Sequence, residues 1–191
     1  MSTIIETIRQ KCSTIAGNEP TVLNKLFAKG TSSVLSHLCM RDFTEVEIPD
    51  GVTEIGSYAF SNCRSLTSVT IPDSVTRIGD YAFSSCHSLT NITIPNSVTR
   101  IDGYAFSNCD SFTSITIPNS VTRIDGYAFS YCDNLTSVTI GNGVTRIGSR
   151  AFYECSNLTD VYYGGTQEQW NAIMIDDGNS YLTDATIHYN S

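Results

Sequence analysis

A repeat solenoid built around a parallel β-sheet is the fold this sequence predicts, and three observations predict it. From Ile48 the chain reads IPDGVTEIGSYAFSNCRSLTSVT, and four further copies follow at a period of 23 residues, without insertion, to Tyr162. Within each copy the apolar residues fall as L-x-x-V-x-I, as in Leu66, Val69 and Ile71, the alternation of a short strand with one face inward. A 23-residue unit also has no core of its own: its inner side chains are covered only by the copies before and after it. The third and fourth copies differ at just four positions, the mark of a recent duplication.

Each part of a unit has a physical reading. Pro72 donates no backbone hydrogen bond and ends the first strand, and Pro72-Asp73-Ser74 suits a turn. Val75-Thr76-Arg77-Ile78 is a second short strand with Val75 and Ile78 inward. Asp80 is placed to cap a single helical turn, Tyr81-Ala82-Phe83, with Cys86 facing the interior. Phe43, Val46 and Ile48 supply a first strand of the L-x-x-V-x-I type, and Leu182, Ala185 and Ile187 a last one. Seven such strands make a sheet roughly 30 Å long.

The ends differ from the repeats. Residues 1–42 read as a helical N-terminal cap. Ile4, Ile5, Ile8, Cys12 and Ile15 fall near helical spacing, as do Val22, Leu23, Leu26 and Phe27, then Val34, Leu35 and Leu38. Residues 43–162 form the solenoid, a half coil plus five repeats. Residues 163–191 form a C-terminal capping coil, in which Thr166-Gln167-Glu168-Gln169 is a capping-box signature. It precedes Trp170, Ile173 and Met174 and predicts a longer helix there.

Composition narrows the function classes. Hydrophobic residues make up 40% of the chain, enough for a packed core. The net charge is −8, with Lys11, Lys25 and Lys29 the only lysines. Phosphate backbones and anionic membrane surfaces both demand clustered cations, so nucleic acid and membrane are disfavoured as partners. No stretch suits a bilayer span. MSTIIETIRQKCSTIAG lacks a basic start and a run of seven apolar residues, so no conventional export signal is expected. A place inside the cell, another route out of it, or a shortened chain all stay open.

The unit I-P-x-x-V-T-x-I-x-x-x-A-F-x-x-C-x-x-L-T-x-V-T resembles the BspA-like leucine-rich repeats over residues 43–162. The tail VYYGGTQEQWNAI…ATIHY is similar to the closing segment of bacterial members. The resemblance implies a right-handed, curved leucine-rich-repeat coil. It also implies a role in adhesion or recognition, usually at a microbial cell surface, and in some relatives an ill-defined role in prophage-like genes.

Stacking turns every repeated residue into a column about 5 Å apart. Three columns are candidate binding surfaces. Thr70, Thr93, Thr116 and Thr139, beside Ser68, Asn91, Ser114 and Ser137, form a hydroxyl-rich strip on the concave sheet. The plain reading of that strip is β-propensity and solubility; the functional one is a polar partner, a glycan or a protein loop. Arg77, Arg100, Arg123 and Arg146 follow Glu54 on the second strand, with Asp80, Asp102 and Asp125 close enough to neutralise them. Tyr81, Tyr104 and Tyr127 continue a tyrosine column from Tyr58, on which guanidinium groups can stack. An Arg–Asp–Tyr surface network competes here with an anion- or carbohydrate-binding strip.

A fourth column, Cys63, Cys86, Cys109, Cys132 and Cys155, has no C-x-x-C pair, and reduced thiols packed as small apolar groups fit it better than metal ligands. Such thiols agree with a reducing compartment. Asn91, Asn134 and Asn157 begin glycosylation sequons that fall out of the repeat consensus. No catalytic, cofactor or metal motif stands out, and His37, His87 and His188 sit in unrelated contexts. The expectation is a non-catalytic, monomeric module without cofactor that binds a protein or carbohydrate ligand. A structural spacer attached through its N-terminal helices is the alternative.

Overall fold

The computed structural model describes residues 44–48 and 50–190, and the helices expected over residues 1–42 lie outside them. The described chain is a stack of coils, each with three sides. Strands alternate between two of the sides. The first side carries β1 (Glu45–Glu47), β3 (Ser68–Thr70), β5 (Asn91–Ile92), β7 (Ser114–Ile117), β9 (Ser137–Ile140), β11 (Asp160–Tyr163) and β13 (Thr186–Tyr189). The second carries β2 (Glu54–Ile55), β4 (Arg77–Ile78), β6 (Arg100–Ile101), β8 (Arg123–Ile124), β10 (Arg146–Ile147) and β12 (Met174–Ile175). All pairings are parallel, and between repeats each residue pairs with the one 23 positions away, such as Arg77 with Arg100. The two-strand coil read from the sequence is therefore the observed one.

The core is a set of columns running along the stack. Val75, Val98 and Val121 are fully buried, as are Ile78, Ile101, Ile124 and Ile147. Phe60, Phe83, Phe106, Phe129 and Phe152 stack ring on ring at 5.1–5.3 Å between centroids. Leu66, Leu89, Phe112 and Leu135 fill one slot in successive coils, all of them buried.

Five expectations need correction. The seven first-side strands do not form one sheet: β1-β3-β5 and β7-β9-β11-β13 are separate, while the second side is a continuous six-stranded sheet. The interruption falls between the coils of Ile92 and Ile115. There Phe112 stands in the leucine slot, its ring tilted 57° to Phe106, and Ile92 meets Ile115 where other coils have valine. Added volume in a close-packed slot displaces backbone, and a short ladder is the part that yields.

The third side is not a helical turn. The N–H groups of Tyr81, Phe83 and Ser85 donate to Gly103, Ala105 and Ser107 of the next coil, while Ala82, Ser84 and Cys86 donate three residues back to Gly79, Tyr81 and Phe83. Left-handed backbone at Tyr81 (φ 56°) and Ser85 (φ 61°) produces this alternation, and the other coils repeat it. Such residues cost roughly 1–2 kcal/mol each. The inter-coil hydrogen bonds, and ring stacking worth about 0.5–1.5 kcal/mol per pair at the tyrosines, offset that cost. Asp80 correspondingly caps nothing; its Oδ1 accepts the Gly103 N–H at 3.0 Å.

The last coil differs in detail. The capping box forms as expected, with Thr166 and Gln169 reciprocally bonded at the start of α1 (Gln167–Asn171). The helix is only five residues long, however, and Met174 lies in β12, paired with Arg146. Leu182 belongs to α2 (Ser180–Thr183), and Ile187 pairs with Val161, two positions from the expected register. Inserting α2 lengthens the coil and moves the final strand along. Among the described residues no helix is long and apolar enough to cross a membrane.

Candidate functional site

Three threonines recur in each of the first four repeats, two of them again in the fifth, and the structure uses them differently. Thr67, Thr90, Thr136 and Thr159 donate their hydroxyls to the carbonyls of Thr44, Thr67, Thr113 and Thr136 in the preceding coil, at 2.8–3.3 Å. Thr76, Thr99, Thr122 and Thr145 do the same on the second side, at 3.1–3.2 Å. Thr70, Thr93, Thr116 and Thr139 point outward from the first side, and none of their hydroxyls is bonded to another described residue. Pleat alternation is the cause. Thr70 lies between inward Val69 and Ile71, so its side chain stands on the outer face of the sheet. The strip ends in an aromatic pair, Tyr162 stacked on His188 at 4.7 Å, with His188 Nε2 2.6 Å from Asp160 Oδ1. That bond, with a second from Thr159, holds the Asp160 carboxyl below its ordinary range.

The arginine column is largely neutralised from within. Stacked guanidinium groups at strand spacing repel by roughly 1 kcal/mol even in water, and carboxylates stand between most of them. Arg77 Nη1 meets Glu54 at 2.9 Å and its Nη2 meets Asp102. Arg100 Nε lies 2.6 Å from Asp102 and its Nη2 2.6 Å from Asp125, which also holds Arg123 Nε. Arg146 Nη2 reaches Asp176 at 2.8 Å. Donating to the carboxylates of Asp102 and Asp125 holds the Arg77 and Arg100 guanidinium groups above their ordinary range, so both stay cationic. Asp102 is the buried member, its side chain 1% exposed, and Asp80, expected to share this work, does not. Asp176, a counter-ion from the irregular last coil, had no repeat signal to reveal it.

The tyrosines stack on one another rather than on the arginine column. Tyr58, Tyr81, Tyr104 and Tyr127 lie 4.5–4.7 Å apart and within 5° of parallel. Burial, then the neighbouring rings, raises the Tyr81 hydroxyl above its usual range. Arg150 takes the tyrosine position in the next coil. Its guanidinium sits 5.7 Å from the Tyr127 centroid and donates to the Tyr127 hydroxyl. The thiols of Cys86, Cys109, Cys132 and Cys155 donate to the carbonyls of Phe60, Phe83, Phe106 and Phe129 at 3.1–3.3 Å. Burial pushes Cys109 and Cys132 well above the normal thiol range and Cys155 to about 12, so these are packing groups rather than nucleophiles.

Residues 36–162 match the model of the BspA type leucine rich repeat region, in six copies. Among solved structures, a leucine rich cell surface protein from Faecalibacterium prausnitzii is 39% identical with a TM-score of 0.68, over 71% of this chain and 36% of its own. A leucine rich repeat protein from T. pallidum is 38% identical with a TM-score of 0.60, over 62% of this chain and 58% of its own. The pneumococcal vaccine antigen PcpA, at 17% identity and a TM-score of 0.59 over 78% of this chain and 42% of its own, shares the fold. This chain therefore spans less than two thirds of each of these proteins. No curated protein matches it. With 23-residue coils, stacked phenylalanines and the family model all in agreement, the chain belongs to the BspA-type leucine-rich-repeat family.

Proposed function

We propose that this protein is a recognition and adhesion module acting at a cell surface without catalysis, and that it reads a protein or glycan ligand with its first side. The single observation that carries this reading is the unspent hydroxyl strip. Two threonine columns of the same coils are consumed by inter-coil hydrogen bonds, and the Thr70, Thr93, Thr116 and Thr139 column is not. Outward hydroxyls on successive coils suit a polar partner laid along the stack, and Tyr162 adds an exposed ring at one end. The similar protein from F. prausnitzii is described as a cell surface protein, which supports the proposed location.

Thr93→Val with Thr116→Val keeps β-propensity and shape while deleting two hydroxyls. On an array of glycans and extracellular proteins, the pair is expected to weaken binding about tenfold or more, at roughly 1 kcal/mol per lost hydrogen bond. Thr99→Val, on the second side, is expected to leave binding unchanged. Equal binding by all three chains would move recognition off this side, and no binding by any would favour a rigid spacer.

A further inference from the structure

The arginine ladder lacks a carboxylate at one rung. Asp102 stands between Arg77 and Arg100, and Asp125 between Arg100 and Arg123. Arg123 and Arg146 are paired in the same register. Here, though, the position equivalent to those aspartates is Gly148, and no carboxylate of the described residues bridges the two. The atoms register the difference. Arg100 Nε and Arg123 Nε each face an aspartate of their own coil, whereas Arg146 Nε is buried with no hydrogen-bond partner. Arg123 is engaged through Nε and Arg146 through Nη2, so the other Nη groups are unpaired among the described residues. Position 148 has no room for a side chain that could supply the group. A Cβ on Gly148 would lie 2.5 Å from the Gly126 nitrogen and 2.8 Å from the Asp125 carbonyl carbon.

We propose that this rung accepts a carboxylate from outside, an Asp or Glu side chain of a partner protein. It would bridge Arg123 and Arg146 as Asp102 and Asp125 bridge the pairs before it. Two guanidinium forks, with side chains 44% and 42% exposed, present donors in the planar geometry a carboxylate fits. A sugar acid would want an open aromatic face beside the charge. The tyrosine faces cover one another, and Arg150 lies over Tyr127, so the tyrosine column offers no open platform for a ring. This site lies on the second side and does not depend on the threonine reading.

The arginine Nε–Hε resonances of the ¹⁵N-labelled full chain test it at physiological salt, titrated in parallel with tetraglutamate, tetraglutamine and glucuronate. The Arg123 and Arg146 signals are expected to shift saturably with tetraglutamate and not with tetraglutamine. The Arg100 signal, already flanked by Asp102 and Asp125, is expected to stay in place. Arg123→Gln is expected to abolish the response of Arg146. Shifts at Arg146 no larger than at Arg100 would overturn the site, and a response to glucuronate matching tetraglutamate would overturn the choice of partner.

Discussion

Phe106→Ala is expected to cost about 3–5 kcal/mol of unfolding free energy, the range for emptying a buried aromatic site. Phe106 is fully buried, stacks on Phe83 at 5.3 Å and Phe129 at 5.2 Å, and meets the tilted ring of Phe112 at 6.0 Å. The middle of a column is a poor place for a cavity, because coils in register on both sides cannot close in without losing their own ladders. The melting temperature should fall by on the order of 10 °C in a chain of this length. Tyr58→Ala is the contrast. That ring is 47% exposed with one stacked partner among the described residues, and the loss should stay under about 1.5 kcal/mol. Equal losses in urea unfolding would contradict a core organised as continuous columns.

The second large effect concerns the buried counter-ion. Asp102→Ala removes the carboxylate shared by Arg77 and Arg100 and leaves two guanidinium groups facing each other at strand spacing. Breaking a fully buried pair costs about 3–5 kcal/mol. Here the arginine side chains are 43% and 45% exposed, and water screens part of the loss, so about 1–3 kcal/mol is expected. Asp80→Ala, one residue position and one coil away, removes only the bond to the Gly103 N–H on an exposed side chain, and under about 1 kcal/mol is expected. The two aspartates look alike in the sequence. A loss for Asp80→Ala as large as that for Asp102→Ala would mean the ladder is held together in another way.

Those aspartates mark where the sequence stops being legible. The coil itself could be read because two independent signals agreed: a 23-residue period and apolar alternation within it. Buried Val75, Ile78, Phe83 and Cys86 all followed from that frame. The third side was misread as a helical turn because Asp-Tyr-Ala-Phe carries a helix-start signal. Only neighbouring coils reveal that alternate N–H groups bond outward and that Tyr81 sits at φ 56°. The break between β5 and β7 was hidden for a similar reason. Phe112 and Ile115 pass as conservative variants in a consensus, yet stacked together with Ile92 they add volume at one junction. At the candidate surfaces the columns were visible but their states were not. Whether a hydroxyl is spent or free, as Thr67 and Thr70 differ, depends on which carbonyl lies under it.

The claim beneath all of this is that coils bury one another in a register of 23 residues. A pair of deletions, read by far-ultraviolet circular dichroism and thermal melting, tests it most directly. Removing residues 94–116 joins Thr93 to Ile117 and keeps every column intact, so a β-rich spectrum and a cooperative melt are expected to persist. Removing residues 94–115 joins Thr93 to Thr116 and shifts each later side chain by one position relative to the coil before it, so both features should be lost. Two deletions that melt alike would contradict the register.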